Sequence, residues 1–171
     1  MYRHEHPRPD ALRDLWLNLN GTWQFEIDDN RTGIAKHFEN RDDFSMKIEV
    51  PFCPESRLSG VAHTDYMNAV WYRRTFTLPA SFTGKRVLLH IGACDDKTTA
   101  FVNGKTVGSH VGGYTPMTFD ITDALTDGEN AVVVYAEDDV RSTAGCRGKQ
   151  SQAFASRGCC YTRTTGIWQT V

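Results

Sequence analysis

At 171 residues, with 40% hydrophobic and 11% aromatic content, the chain can bury one sizeable core and nothing in it demands a second. A formal net charge of −2, with Lys and Arg dispersed among Asp and Glu, builds no basic stripe able to neutralise a phosphate backbone, which argues against a nucleic-acid partner. No run approaches the roughly 20 apolar residues that cross a bilayer, and the opening MYRHEHPRPDALRD has no apolar core of signal-peptide length. No membrane partner is expected.

The predicted strands follow one another with turn signals between them. TWQFEI (22–27), MKIEV (46–50), VWYRRTFTL (70–78), RVLLHI (86–91), TTAFV (98–102), KTVGSH (105–110), MTFDI (117–121) and NAVVVYAE (130–137) are rich in β-branched and aromatic residues. Pro79, Gly84, Asn103-Gly104, Gly112-Gly113 and Asp127-Gly128 punctuate them. Asn103-Gly104 predicts a two-residue type I′ hairpin, because that turn needs positive φ at both central positions. Residues 8–15 could form a short helix, and TDAL from Thr122 a single turn capped by Thr122 or Asp123. Short strands with almost no helix predict an all-β fold, a sandwich or barrel.

Two segments do not read as framework: CPESRLSGVAHTDYMNAV (53–70) and DDVRSTAGCRGKQSQAFASRGCCYTRTTG (138–166). Connections this long in a compact domain are usually functional or disordered. Arg147, Phe154, Tyr161 and Arg163 argue against simple disorder of the second. The five cysteines are odd in number and lack a framework spacing, which predicts reduced thiols in a cytoplasmic setting, although a lost signal peptide stays open.

In order along the chain, LNGTWQFEID, VPFCPESRLSG, VWYRRTFTLP, LLHIGACDDKTTAFVNGKTVGSHVGGYTPMTFDIT, DGENAVVVYAEDD, RGKQ and YTRTTGIWQTV together resemble the N-terminal sugar-binding domain of glycoside hydrolase family two, the β-galactosidase, β-glucuronidase and β-mannosidase family. The match runs from Leu15 to Val171, leaving residues 1–14 as an N-terminal extension. The resemblance implies a jelly-roll β-sandwich of galactose-binding-domain type, followed in the family by an immunoglobulin-like domain and a (β/α)₈ barrel that carries both catalytic glutamates. Because the chain stops at GIWQTV, inside what resembles a strand, it is expected to be a fragment of a longer enzyme. A retaining glycosidase needs two carboxyl groups roughly 5 Å apart, and the resemblance places both beyond Val171. The expectation is a non-catalytic domain of a β-glycosidase, with β-galactosidase the favoured activity, no catalytic residue of its own and no cofactor.

In the family this domain lends loops to the edge of the barrel's sugar pocket. The substrate-binding candidates are Asp65, Asn68, Arg147, Lys149, Gln150 and Arg163, planar or charged groups able to hold sugar hydroxyls. Arg147 and Arg163 could equally tie long loops down, and Asn68 could cap a turn. The family often carries a substrate-reaching Asp shortly before the Gly-Ile pair, and that place falls here on Cys160, whose thiol cannot accept paired hydroxyl bonds. Asp95-Asp96 and Glu137-Asp138-Asp139 could supply acids, but neighbours on a strand point to opposite faces, so solvated or loop-organising roles are expected.

Trp23, Phe25, Trp71, Tyr72, Phe76, Phe101, Phe119, Tyr135 and Trp168 are assigned to the core. Cys146, Cys159 and Cys160 near His110 lack the paired spacing of a zinc site, so no metal is expected and His110 reads as framework. The rival to the domain reading is a free-standing lectin-like carbohydrate-binding module, which would need exposed aromatics or a polar cleft. A stand-alone enzyme would need a close carboxylate pair in a pocket.

Overall fold

The computed structural model describes residues 5–142 and 147–171. In chain order the strands are β1 (Gly21–Ile27), β2 (Met46–Val50), β3 (Ala69–Thr77), β4 (Leu88–Ile91), β5 (Cys94–Asp95), β6 (Lys97–Val102), β7 (Lys105–Val111), β8 (Met117–Asp120), β9 (Glu129–Glu137) and β10 (Gly166–Ile167). Six of them form one antiparallel sheet in the order β2-β1-β3-β9-β6-β7. Two short antiparallel pairs, β4 with β8 and β5 with β10, make the facing layer of the expected jelly-roll sandwich.

Each strand read from composition is present within two residues of its expected ends; the closing strand expected at GIWQTV is present as β10 over Gly166–Ile167 only, and β5 was not foreseen. Two residues offer no alternation to read, and both strands exist only because the chain closes Gly166 against Asp95 and Ile167 against Cys94. The expected helix over 8–15 reduces to one 3₁₀ turn, Pro9–Ala11, with no buried residue. An isolated helix that short has no packing to offset its nucleation cost. The turn at Thr122–Ala124 is present, but neither Thr122 nor Asp123 caps it: Ile121 holds the N-cap position, and Asp120 before it accepts through Oδ1 from the Thr122 amide at 3.1 Å and hydroxyl at 2.6 Å.

Asn103 and Gly104 hold φ of 50° and 76° between paired Val102 and Lys105, the geometry that the hairpin required. Asn103 also braces neighbouring structure. Its Nδ2 donates to Asn130 Oδ1 at 2.7 Å and to Ala124 O at 2.9 Å, while its Oδ1 accepts from the Ala131 amide.

The large sheet is apolar on both faces at its centre. Trp23, Phe25, Ile48, Val70, Tyr72, Val132 and Val134 point inward and pack with Leu89, Ile91, Met117, Phe119 and Ile167 of the facing layer. Their neighbours Trp71, Phe101, Val133 and Tyr135 point outward into a second cluster closed by Phe38 and Phe44. Trp71 is its hub, with ring centroids 4.7 Å from Tyr135, 5.6 Å from Phe38 and 6.1 Å from Phe101. Its indole N–H donates to Asp28 Oδ2 at 3.2 Å, so the ring is buried with its one polar atom satisfied. Burying a side chain of this size contributes about 3 kcal/mol.

Trp168 departs from its core assignment. It is half-buried, because its indole N–H donates outward to the Gly113 carbonyl at 2.8 Å. Among the described residues no helix is long and apolar enough to cross a membrane.

The closing strand depends on Gly166, which holds φ of 69° with the fully buried Tyr72 hydroxyl lying where a Cβ would sit. Tyr72 Oη in turn accepts from the Ile167 amide at 3.2 Å. Gly166→Ala should destabilise the domain by about 2–4 kcal/mol, combining left-handed strain with overpacking, as read from urea unfolding midpoints.

Candidate functional site

The two long connections meet at one end of the sandwich. Arg163 draws them together: Nη1 donates to the carbonyls of Ser151 at 3.0 Å and Ala153 at 2.6 Å, and Nη2 reaches the carbonyl of Thr64. Its guanidinium also lies over the Tyr66 ring at 4.4 Å, with Arg141 over the same ring at 4.8 Å. Tyr66 donates its hydroxyl to Gln152 O and packs on Phe154. From the other side, Glu55 accepts from the Thr165 amide through both oxygens, at 3.0 and 3.2 Å.

The six candidates fall into two groups around these ties. Asp65, Asn68 and Arg163 lie around Tyr66. Asp65 is exposed and accepts from the Tyr66 amide at 2.7 Å. Asn68 does not cap its own turn; it donates to Asp29 O at 2.9 Å and accepts from Arg141 at 2.8 Å. Arg163 is 2% exposed, and the carbonyls occupy its Nη atoms, so here it takes the loop-tying alternative rather than facing solvent.

Arg147, Lys149 and Gln150 form the second group. Arg147 and Lys149 are exposed, with Arg147 reaching the Val140 carbonyl at 3.4 Å. Gln150 is buried; it donates to Asp95 Oδ2 at 2.7 Å and accepts from the Thr164 amide at 2.8 Å.

Beneath the loops lie carboxyl groups that were expected to be either solvated or loop-organising, and they are not solvated. Asp95 is 2% exposed, and burial pushes its pKa up to about 6; the Gln150 bond opposes the shift and the Asp96 charge adds to it. It is a loop-organising acid. Asp138 is buried too, with Oδ2 lacking a hydrogen-bond partner among the described residues. Burial, then the charges of Asp95, Asp96, Glu55 and Asp139, raise it to about 8. Asp138 and Arg163 line a pit with Tyr66, Asn68 and Arg141 that is too narrow to admit a pyranose, and Asp95 is shut off by its own burial.

His110 bonds Thr115 Oγ1 through Nε2 at 2.9 Å. Cys159 is exposed and Cys160 half-buried, and reciprocal backbone bonds of 3.0 Å between Arg157 and Cys160 close the turn that holds them. Cys146 lies outside the described residues.

Sequence reasoning passed over an aromatic group at the same end. Tyr114 and Tyr161 join hydroxyls at 3.2 Å, and the Tyr114 ring meets Trp168 edge-on with centroids 5.8 Å apart. The Tyr161 bond, then burial, pushes the Tyr114 phenol up to about 12, so it stays protonated at neutral pH. The repeated glycines before Tyr114 were the available signal: a Cβ on Gly113 would strike Asp95, so the chain must pass close over that buried acid and turn Tyr114 outward.

The family model described as "Glycosyl hydrolases family 2, sugar binding domain" matches residues 16–144. A β-glucuronidase of Paenibacillus borealis is 34% identical over 130 residues, which cover 75% of this chain and 22% of that protein. A β-galactosidase of Thermoanaerobacter pseudethanolicus is 31% identical over 131 residues, covering 73% and 17% respectively. The Ruminococcus gnavus β-glucuronidase, solved in complex with an N1-substituted uronic isofagomine, superposes with a TM-score of 0.65 at 29% identity, covering 71% of this chain and 22% of that one. The chain thus spans about a fifth of the length of these relatives.

Two variants test the architecture of this end. Arg163→Met should strand three carbonyls, cost about 2–4 kcal/mol and expose both long loops to limited proteolysis. Asp138→Asn should act in the opposite direction at high pH. Below the ordinary carboxylate value of 3.8 the folded and unfolded chains both hold the proton; between 3.8 and about 8 the unfolded chain ionises freely and the folded one does not, so stability falls across that window. The variant should flatten this fall and gain about 1–3 kcal/mol at the alkaline end, measured by urea unfolding across the range. On its ordered motifs, its sandwich and these likenesses, the chain belongs to glycosyl hydrolases family 2, as a sugar-binding domain of that family.

Proposed function

We propose that the chain is the non-catalytic N-terminal domain of a retaining β-glycosidase, bracing a catalytic barrel and lending its two tied loops to the rim of the sugar pocket. The observation that carries this reading is the family match combined with coverage: relatives named as glycosidases are about five times longer than the stretch they share with this chain. An immunoglobulin-like domain and the barrel of the same parent chain would be its partners, with a carbohydrate as substrate. The buried state of Asp95 and Asp138 supports placing the chemistry elsewhere, since neither carboxyl group opens onto a cleft of sugar size.

Within the class, a β-galactoside is the preferred substrate on the sequence reading. A β-glucuronide is the second reading, favoured by the names of the relatives from Paenibacillus borealis and Ruminococcus gnavus. Cys160 bears on the choice, because a half-buried thiol stands where the family often has a sugar-holding carboxylate.

Hydrolysis of nitrophenyl β-galactoside, β-glucuronide and β-mannoside should be compared between this chain and a chain extended through the following domains. The expected outcome is turnover by the extended chain alone, with the preferred glycoside identified directly. Turnover by the 171-residue chain, lost on replacing Asp95 or Asp138, would overturn the reading.

A further inference from the structure

We propose that Tyr114, Tyr161 and Trp168 form a carbohydrate-binding platform of this domain's own, flanked by Arg147 and Lys149, on which one pyranose ring docks. The proposal rests on the family reading only for the chemical class of its ligand; the site itself is carried by the geometry.

Tyr114 is 56% and Tyr161 39% exposed, yet neither side chain is loose. Their hydroxyls meet at 3.2 Å, and Trp168 is anchored by its indole bond to Gly113 O while its ring and that of Tyr114 meet in a T-shaped contact at an interplanar angle of 69°. Three aromatic side chains from separate segments are therefore fixed before any ligand arrives: Tyr114 from the connection after β7, Tyr161 from the long loop and Trp168 from the stretch after β10. A platform fixed in advance lowers the ordering cost that otherwise weakens binding.

The polar surroundings suit a sugar. Gly148 lies against the pair, since a Cβ there would stand 3.3 Å from the Tyr114 hydroxyl and 3.9 Å from that of Tyr161. Arg147 and Lys149, the chain neighbours of Gly148, are both exposed. The Lys149 carbonyl accepts from the Tyr161 amide at 3.0 Å, which holds the two residues in a fixed relation. Ring faces beside hydroxyls and cationic donors match a pyranose, which offers C–H groups on one face and hydroxyls around its edge. A polyanion fits less well, because Asp95 lies directly behind Gly113 and the chain is net negative. A groove of about 270 Å³ beside Lys47 and Arg73 on the large sheet is polar and has no exposed aromatic ring among its lining residues.

The test is titration of the ¹⁵N-labelled 171-residue chain with lactose and with methyl β-glucuronide at millimolar concentrations, following backbone amides and the Trp168 indole N–H. Saturable shifts centred on Tyr114, Lys149, Tyr161 and Trp168 are expected for at least one sugar. Tyr114→Ala, at an exposed position that leaves the core intact, should weaken that binding about tenfold. The double variant Tyr114→Phe with Tyr161→Phe keeps the faces and removes the hydroxyls, and should weaken it about threefold. No saturable shift with either sugar, shifts centred on another part of the domain, or binding unchanged in Tyr114→Ala would each overturn the proposal. Hydrolysis by the extended chain reports on the domain reading separately, so an active extended enzyme whose isolated domain ignores both sugars would sink the platform alone.

Discussion

The structure depends on a sheet centre that is buried on both faces. In β3 and β9, residues on the inner face pack against the facing layer, while Trp71, Val133 and Tyr135 on the outer face are sealed by Phe38 and Phe44. A sheet enclosed in this way has no freedom of register, because a slip of one residue would exchange two differently shaped apolar surfaces. The paired register from Ala69 with Glu137 through Thr77 with Glu129 fixes where both strands end. The long connections that precede β3 and follow β9 therefore start from the same end of the sandwich.

At that end, order comes from polar ties rather than strands. Arg163 supplies charged donors to carbonyls of both connections, and Glu55 accepts a backbone amide from a residue 110 positions away in the chain. Each such bond is worth more than its net contribution suggests, since losing one partner leaves a buried group unsatisfied. The loops are consequently rigid enough to present side chains in fixed positions, which is what a surface bordering a sugar pocket requires.

The same enclosure raises the acids. Asp95, Asp138 and Glu55 share a region from which water is largely excluded, and burial is the leading cause of the upward shift of each. Asp95 is partly compensated by Gln150, whereas Asp138 Oδ2 has no such partner among the described residues. Polar groups at this end are thus divided: Asp95 and Asp138 are held inside, while Tyr114, Tyr161, Arg147 and Lys149 lie at the surface.

The amino-acid sequence by itself determined the all-β class, nearly every long strand, the Asn103-Gly104 hairpin and the family, because alternation, turn residues and motif order are local properties. It also marked both irregular connections and drew all six candidate residues from them. It could not say which candidates face solvent: Arg163 and Gln150 look as available as Lys149 in the sequence, yet the fold buries the first two and leaves the third exposed. Nor could it bring Tyr114 to Tyr161 across 47 residues, or place Trp168 at the boundary of the core. Burial and long-range contact belong to the closed sandwich, since they depend on which segments meet once the sheet has formed; only tertiary structure decided them.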